Sequence, residues 1–184
     1  MEDRELIIQC QSGELSKFGE LYDRYIDRIY KFIYLKTSDR EIAEDITSDV
    51  FMKAMNSLSS LEVDKKDLNF KSWLYTIANN KVIDFYRTKK QSSDIEECYD
   101  LWEYFDYSQD IDNKDKLLSI QNYLSELKAD QKEILVLRIW EDLSYKEISE
   151  ITGKSIDNCK KIVSRWLKSI QANFILLLFI ILLF

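Results

Sequence analysis

The sequence predicts an all-α protein: two small helical domains joined by a flexible acidic linker, the second domain a helix-turn-helix. Three observations point there. The 184 residues contain no proline and only three glycines, so the turn residues that a sheet protein needs at short intervals are missing. Apolar residues recur at spacings of three and four, the period of one buried helix face. The net charge of −7 is also uneven along the chain. Residues 1–90 hold 15 basic and 16 acidic side chains, residues 91–115 hold one and nine, and residues 116–184 hold ten and eight. One short stretch therefore carries the acidic excess, between two near-neutral or basic blocks.

Residues 1–90 read as three or four helices. Leu15, Phe18, Leu21, Tyr22, Tyr25, Ile29, Phe32 and Ile33 make one buried face, interrupted at Thr37-Ser38-Asp39. Ser38 with Glu41 fits a capping box, in which each side chain bonds a free backbone N–H of the other. Ile42, Ile46, Val50, Ala54 and Leu58 start a new run, and a polar stretch follows over 59–69. The next helix is marked by Phe70, Trp73, Leu74, Ile77, Ala78, Val82, Phe85 and Tyr86, with Trp73, Ile77 and Phe85 expected in the core. Residues 91–115 have no period and set Trp102, Tyr104, Phe105 and Tyr107 among acids, as expected of a linker with room for one short helix.

Residues 116–171 are helical again. Leu117, Leu118, Ile120, Tyr123, Leu124 and Leu127 share a face, and Ile134, Leu135, Leu137 and Ile139 continue beyond a break near Ala129-Asp130. Ser144 with Glu147 forms a second capping box, starting a helix that runs through Ile151. Thr152-Gly153-Lys154 is a tight turn, because Gly153 can take the left-handed conformation that closes a helix. Ser155 is then a good N-cap for a helix reaching about residue 170.

Composition removes whole classes of chemistry. With no histidine there is no Ser-His or Cys-His nucleophile pair and no histidine metal site. Cys10, Cys98 and Cys159 are odd in number and far apart, which suits reduced intracellular thiols. The opening MEDRE is too charged for a signal peptide, so a cytoplasmic chain is expected. Asp45 and Asp49 share a helix face, but no second acidic helix converges with them. The reading is of a non-enzyme without cofactor, metal or small-molecule substrate.

Three segments bear on function. LSYKEISEITGKSIDNCKKIVSRWLK, over 143–168, has the layout of a helix-turn-helix, which sets its second helix into the major groove. Ile148 and Ile151 would face Ile156, Cys159 and Val163 inside the unit, with small Ser149 where the helices approach. That leaves Asp157, Asn158, Lys160, Lys161, Ser164, Arg165 and Lys168 outside, side-chain types that pair with base edges and phosphates. An ordinary helical hairpin with a solvated face would show the same pattern. FKSWLYTIANNKVIDFYRTKK, over 70–90, interleaves Trp73, Tyr75, Phe85 and Tyr86 with Lys71, Lys81, Arg87, Lys89 and Lys90. Aromatics can stack on unpaired bases while cations hold the backbone, although a core stripe with a wet edge reads alike. REIAEDITSDVFMKAM, over 40–55, is an amphipathic helix with Glu44, Asp45 and Asp49 beside an exposed-looking Phe51.

In order and spacing these segments resemble the extracytoplasmic-function group of the housekeeping-type family of bacterial sigma factors. The likeness covers about residues 5–171. It rests on Ala43, Glu44, Asp45, Val50 and Phe51; on Phe70, Trp73, Leu74, Tyr75, Ile77, Ala78, Asn80, Ile83, Asp84 and Arg87; and on Leu143, Ser144, Tyr145, Glu147, Ile148, Ser149, Glu150, Ile151, Gly153, Ser155, Lys160 and Arg165. The resemblance implies a factor that directs RNA polymerase core to promoters. Asp45, Asp49 and Phe51 would dock on polymerase; Lys71, Trp73, Asn79, Asn80, Arg87 and Lys90, with the loop 59–69, would bind the −10 element and a flipped base. Ser155, Asp157, Asn158, Lys160, Lys161 and Arg165 would read the −35 element. The implied partners are polymerase core, promoter DNA and an anti-sigma factor, and the domains are 1–90, 91–115, 116–171 and a tail, 172–184. The acidic linker would thread polymerase channels, and its field would weaken binding to random DNA. Thr152 and Lys154 depart from the apolar residues usual at the turn, and Ile162 from a basic one. From the residues alone, a helix-turn-helix regulator with a helical partner-binding domain stands as the other reading.

Residues 174–184 are eleven apolar residues in a row. As helix they extend ~16 Å, too short to cross a bilayer. They could enter one leaflet, pack in a groove, bind a membrane-bound partner, or have no evolved role.

Overall fold

The computed structural model describes residues 2–62, 69–89 and 127–183, and only the backbone of Lys89 and of 170–183. Among the described residues there are seven α-helices and no strand, in two units. The first holds α1 (Asp3–Gln11), α2 (Phe18–Thr37), α3 (Arg40–Ser57) and α4 (Phe70–Lys89), with short 3-10 turns at Leu15–Lys17 and Leu58–Ser60. The second holds α5 (Ala129–Leu135), a single wide turn at Val136–Trp140, α6 (Tyr145–Thr152) and α7 (Ile156–Leu183). The acidic stretch 91–115 and the expected helical face at 117–124 lie outside the described residues, as does most of the loop 59–69.

In the first unit α2, α3 and α4 pack on one another and α1 packs on α2. The periodicity explains why. Leu21, Ile29, Phe32 and Ile33 of α2 are fully buried, as are Ala43, Val50 and Ala54 of α3. Phe70, Leu74, Ala78 and Val82, each one four-residue step along α4, make its buried stripe. Tyr75 joins them, edge-on to Phe32 at 5.0 Å between ring centres. Trp73, Ile77 and Phe85, expected in the core, are only half-buried because that four-step stripe already fills it. Leu15 and Tyr22, also expected inside, are exposed.

The boundary between α2 and α3 differs from the expected capping box by one residue. Ser38 sits in the left-handed region, φ 49°, and closes α2 with its N–H bonded to the Tyr34 carbonyl at 2.8 Å. A residue so placed cannot adopt the extended backbone of an N-cap. Asp39 takes that role, its carboxylate accepting the Ile42 N–H at 3.2 Å.

In the second unit Ile134, Leu135, Leu137, Leu143, Ile148, Ile151, Cys159 and Val163 are buried together. The capping box at α6 forms as expected: the Ser144 hydroxyl accepts the Glu147 N–H at 3.3 Å and the Glu147 carboxylate accepts the Ser144 N–H at 2.7 Å. α7 continues to Leu183, beyond the expected stop near 170, since no glycine or proline follows Gly153 to break it. No described helix is long and apolar enough to cross a membrane. Burial pushes the thiols of Cys10 and Cys159 above the ordinary cysteine range, which suits inert packing groups.

Two predictions test this fold. Asp39→Ala should lower stability in urea unfolding by about 1 kcal/mol, while Ser38→Gly should cost nothing or stabilise, since glycine carries no penalty at positive φ. A larger loss from Ser38→Gly than from Asp39→Ala contradicts the boundary. In a Cys98→Ser background, both remaining thiols should react slowly with a thiol reagent at pH 7 and rapidly in urea; fast native labelling contradicts their burial.

Candidate nucleic-acid interface

The turn between α6 and α7 is built by its own polar groups. Gly153 takes φ 68°, and its N–H bonds the Ser149 carbonyl at 3.0 Å. Ser149 donates its hydroxyl to the Lys154 carbonyl at 2.6 Å, a contact that a larger apolar residue would lose. Thr152 donates to the Ile148 carbonyl at 2.8 Å and accepts the Lys154 N–H at 3.3 Å. Lys154 reaches back to Asp130 of α5 at 2.9 Å, and that hydrogen bond raises its pKa. Both departures from the usual apolar turn residues thus have local structural uses.

α7 is held along one face. Cys159, Ile162, Val163 and Trp166 are buried, and Trp166 lies 6.4 Å from the ring of Trp140. Ile162, which departs from the basic residue usual in the resembled family, is an anchor. Ile156, expected inside, is exposed in the first turn. The opposite face presents Asp157, Asn158, Lys161, Ser164, Arg165 and Lys168, with Lys160 on its flank, all exposed. Their spacing of one, four, seven, eight and eleven from Asp157 makes one continuous stripe along the helix. Ser155 is exposed too, but its hydroxyl accepts the Asn158 N–H at 3.3 Å and so serves the helix start. The face carries four cations against one carboxylate, a charge balance suited to phosphates.

In the first unit, α4 sorts the expected residues. Trp73, Asn80 and Arg87 stand seven residues apart and share a face with Ile77 and Asp84. Trp73 is half-buried, whereas Asn80 and Arg87 are exposed. Arg87 pairs with Asp84 at 2.9 Å, an exposed pair that holds the guanidinium weakly and leaves it able to exchange for a phosphate. Lys71, two residues from Trp73, lies on the other side of the helix. Asn79 is a correction: it is buried, its carbonyl accepting a hydrogen bond from the Lys36 ammonium, while Tyr86 donates to the Lys36 carbonyl at 2.8 Å. Asn79 therefore ties α4 to α2. Tyr75 is likewise core and no stacking platform. Lys90 lies outside the described residues.

On α3, Asp45 and Asp49 are exposed, and Asp49 pairs with Lys81 of α4 at 2.8 Å. Phe51 is a second correction. Only 4% of it is exposed, and its ring sits 4.8 Å from Tyr22 and 6.5 Å from Phe18. The exposed apolar neighbour of the acids is Met52, which the sequence reading passed over. The signal was there: Met52 is seven residues from Asp45 and three from Asp49, on their face of the helix.

Comparison with known proteins identifies both units. Residues 21–92 match the Sigma-70 region 2 model, and residues 117–170 match the Sigma-70 region 4 model. The RNA polymerase sigma factor YlaC of Bacillus subtilis (strain 168) is 30% identical over 158 residues, covering 84% of this chain and 90% of YlaC. SigZ of the same organism is 32% identical over 148 residues, 79% of this chain and 80% of SigZ. The ECF sigma factor BldN of Streptomyces coelicolor is 29% identical over 158 residues, 82% of this chain, and the match spans 58% of BldN. Among solved structures, the sigma factor RpoE of Bartonella quintana, crystallised with the anti-sigma factor NepR, superposes with a TM-score of 0.62 at 26% identity, covering 84% of this chain and 94% of that one. CnrH, solved with the cytosolic domain of CnrY, shares the fold at a TM-score of 0.58 and 22% identity, covering 94% and 96%. The chain belongs to the sigma-70 family of RNA polymerase sigma factors, within its extracytoplasmic-function group.

Proposed function

We propose that this chain directs RNA polymerase core to specific promoters and has no catalytic activity of its own. The observation that carries this reading is the succession of region 2 and region 4 on one chain, the latter with a one-sided basic helix after a glycine turn. In this reading the outer face of α7, with Asn158, Lys160, Lys161 and Arg165 foremost, reads the −35 duplex; Asp157 and Ser155 shape its first turn. Trp73, Asn80 and Arg87 on α4 meet the opened −10 strand, the indole stacking on a base and the guanidinium meeting a phosphate. Asp45, Asp49 and Met52 on α3 meet polymerase. The domains run over 1–90 and 116–171, joined by an acidic linker, and the chain works in the cytoplasm. Because RpoE is held by an anti-sigma factor in its crystal structure, a protein of that kind is the expected inhibitor here.

Run-off transcription with purified core polymerase over a promoter library tests the proposal. The chain should yield promoter-specific transcripts in a 1:1 complex with core. Arg165→Ala should lower them by about tenfold or more, with a shallower salt dependence of promoter binding. Duplex binding by a dimer of the chain, with no effect on polymerase, contradicts the reading.

The linker gives a separate test. Replacing the nine acids of 91–115 by their amides should increase binding of the isolated chain to random duplex DNA, most clearly at low salt. Unchanged binding refutes the shielding role.

A further inference from the structure

The basic face of α7 and the apolar run after it belong to one continuous helix, Ile156–Leu183. Lys168 is the last charged residue; residues 169–173 are uncharged Ser-Ile-Gln-Ala-Asn, and 174–184 are all apolar. We propose that the C-terminal part of α7 inserts into an anionic lipid bilayer, with the basic face of the same helix drawn to the headgroups.

The composition selects the occupant. Since every residue from 174 to 183 is apolar, every face of this helical stretch is apolar, whichever way it is turned. A groove on a protein would cover one side and leave the rest wet. A second copy of the helix has the same shortcoming, and 174–184 contains no glycine, alanine, serine or threonine to let two backbones approach closely. Acyl chains cover all sides at once. The ten residues of 174–183 rise ~15 Å, enough to carry the helix well into a ~30 Å hydrocarbon core. Counting back from Phe174, Lys168 stands ~9 Å and Arg165 ~14 Å along the axis. Those distances bring the lysine, with its long side chain, to the headgroup layer and the arginine just beyond it. Against Lys160, Lys161, Arg165 and Lys168 the exposed part of the helix sets only Asp157, so the rod complements an anionic surface.

The consequence rests on the reading of α7 as the DNA-reading helix. Phosphodiesters and anionic headgroups draw on the same cations, so a bilayer and a duplex compete for the chain.

Flotation with vesicles tests the proposal on the full chain. Wild type should float with phosphatidylcholine vesicles containing phosphatidylglycerol, and less with phosphatidylcholine alone. The double variant L177D/I181D should stay at the bottom, its partitioning lowered on the order of a hundredfold per substitution. Its duplex binding should match wild type, because both positions follow the exposed polar stretch Asp157–Lys168 in sequence. Anionic vesicles should displace a bound duplex from wild type and not from the variant. Wild type that stays at the bottom overturns the proposal, as does a variant that floats equally or a chain that only self-associates. Flotation by wild type with no promoter-duplex binding by either protein, alone or with core polymerase, refutes the DNA reading and leaves the insertion standing.

Discussion

The second unit depends on α7 being gripped along one side only. A helix buried all round could touch no DNA, and one buried nowhere would have no fixed orientation. Cys159, Ile162, Val163 and Trp166 supply the grip, and their burial removes water from apolar surface worth roughly 25 cal/mol per Å². The turn at Gly153 then decides where the helix starts. Its positive φ, the Ser149 hydroxyl and the Lys154–Asp130 pair all act within a few residues of that turn. The Lys154–Asp130 pair is part-exposed, so it steers the turn more than it stabilises the unit.

The first unit solves a different problem with the same means. α4 must present one face to α2 and α3 and another outward, and the four-step stripe from Phe70 to Val82 settles which is which. Once that stripe is inside, Trp73, Asn80 and Arg87 are left on a common outer line. Asn79, one residue away, is rotated inward and satisfied by the Lys36 ammonium, where an unpaired amide would be costly. Adjacent asparagines therefore face opposite ways, Asn79 inward and Asn80 to solvent.

Much of this was legible in the sequence because helix faces repeat. The one-sided burial of α7, the Ser144–Glu147 box and the left-handed glycine followed from spacing and residue type. The failures share a cause: periodicity gives the helix but fixes the centre of its buried arc only to within one residue. Phe51 and Met52 differ by a 100° step, so the spacing alone does not decide which of them faces out. Asn79 and Asn80 could not be separated by type alone. The cap at Asp39 escaped because either of two neighbouring polar residues could serve, and only the backbone angle of Ser38 decides.

Site-specific photo-crosslinking in the assembled polymerase complex measures the central claim most directly, with the probe placed in turn at Arg165, Asn80 and Asn79. The account requires Arg165 to label the upstream promoter element, Asn80 to label the −10 strand and Asn79 to label no DNA. Labelling from Asn79 with silence from Arg165 and Asn80 would mean that the faces assigned to α4 and α7 are wrong.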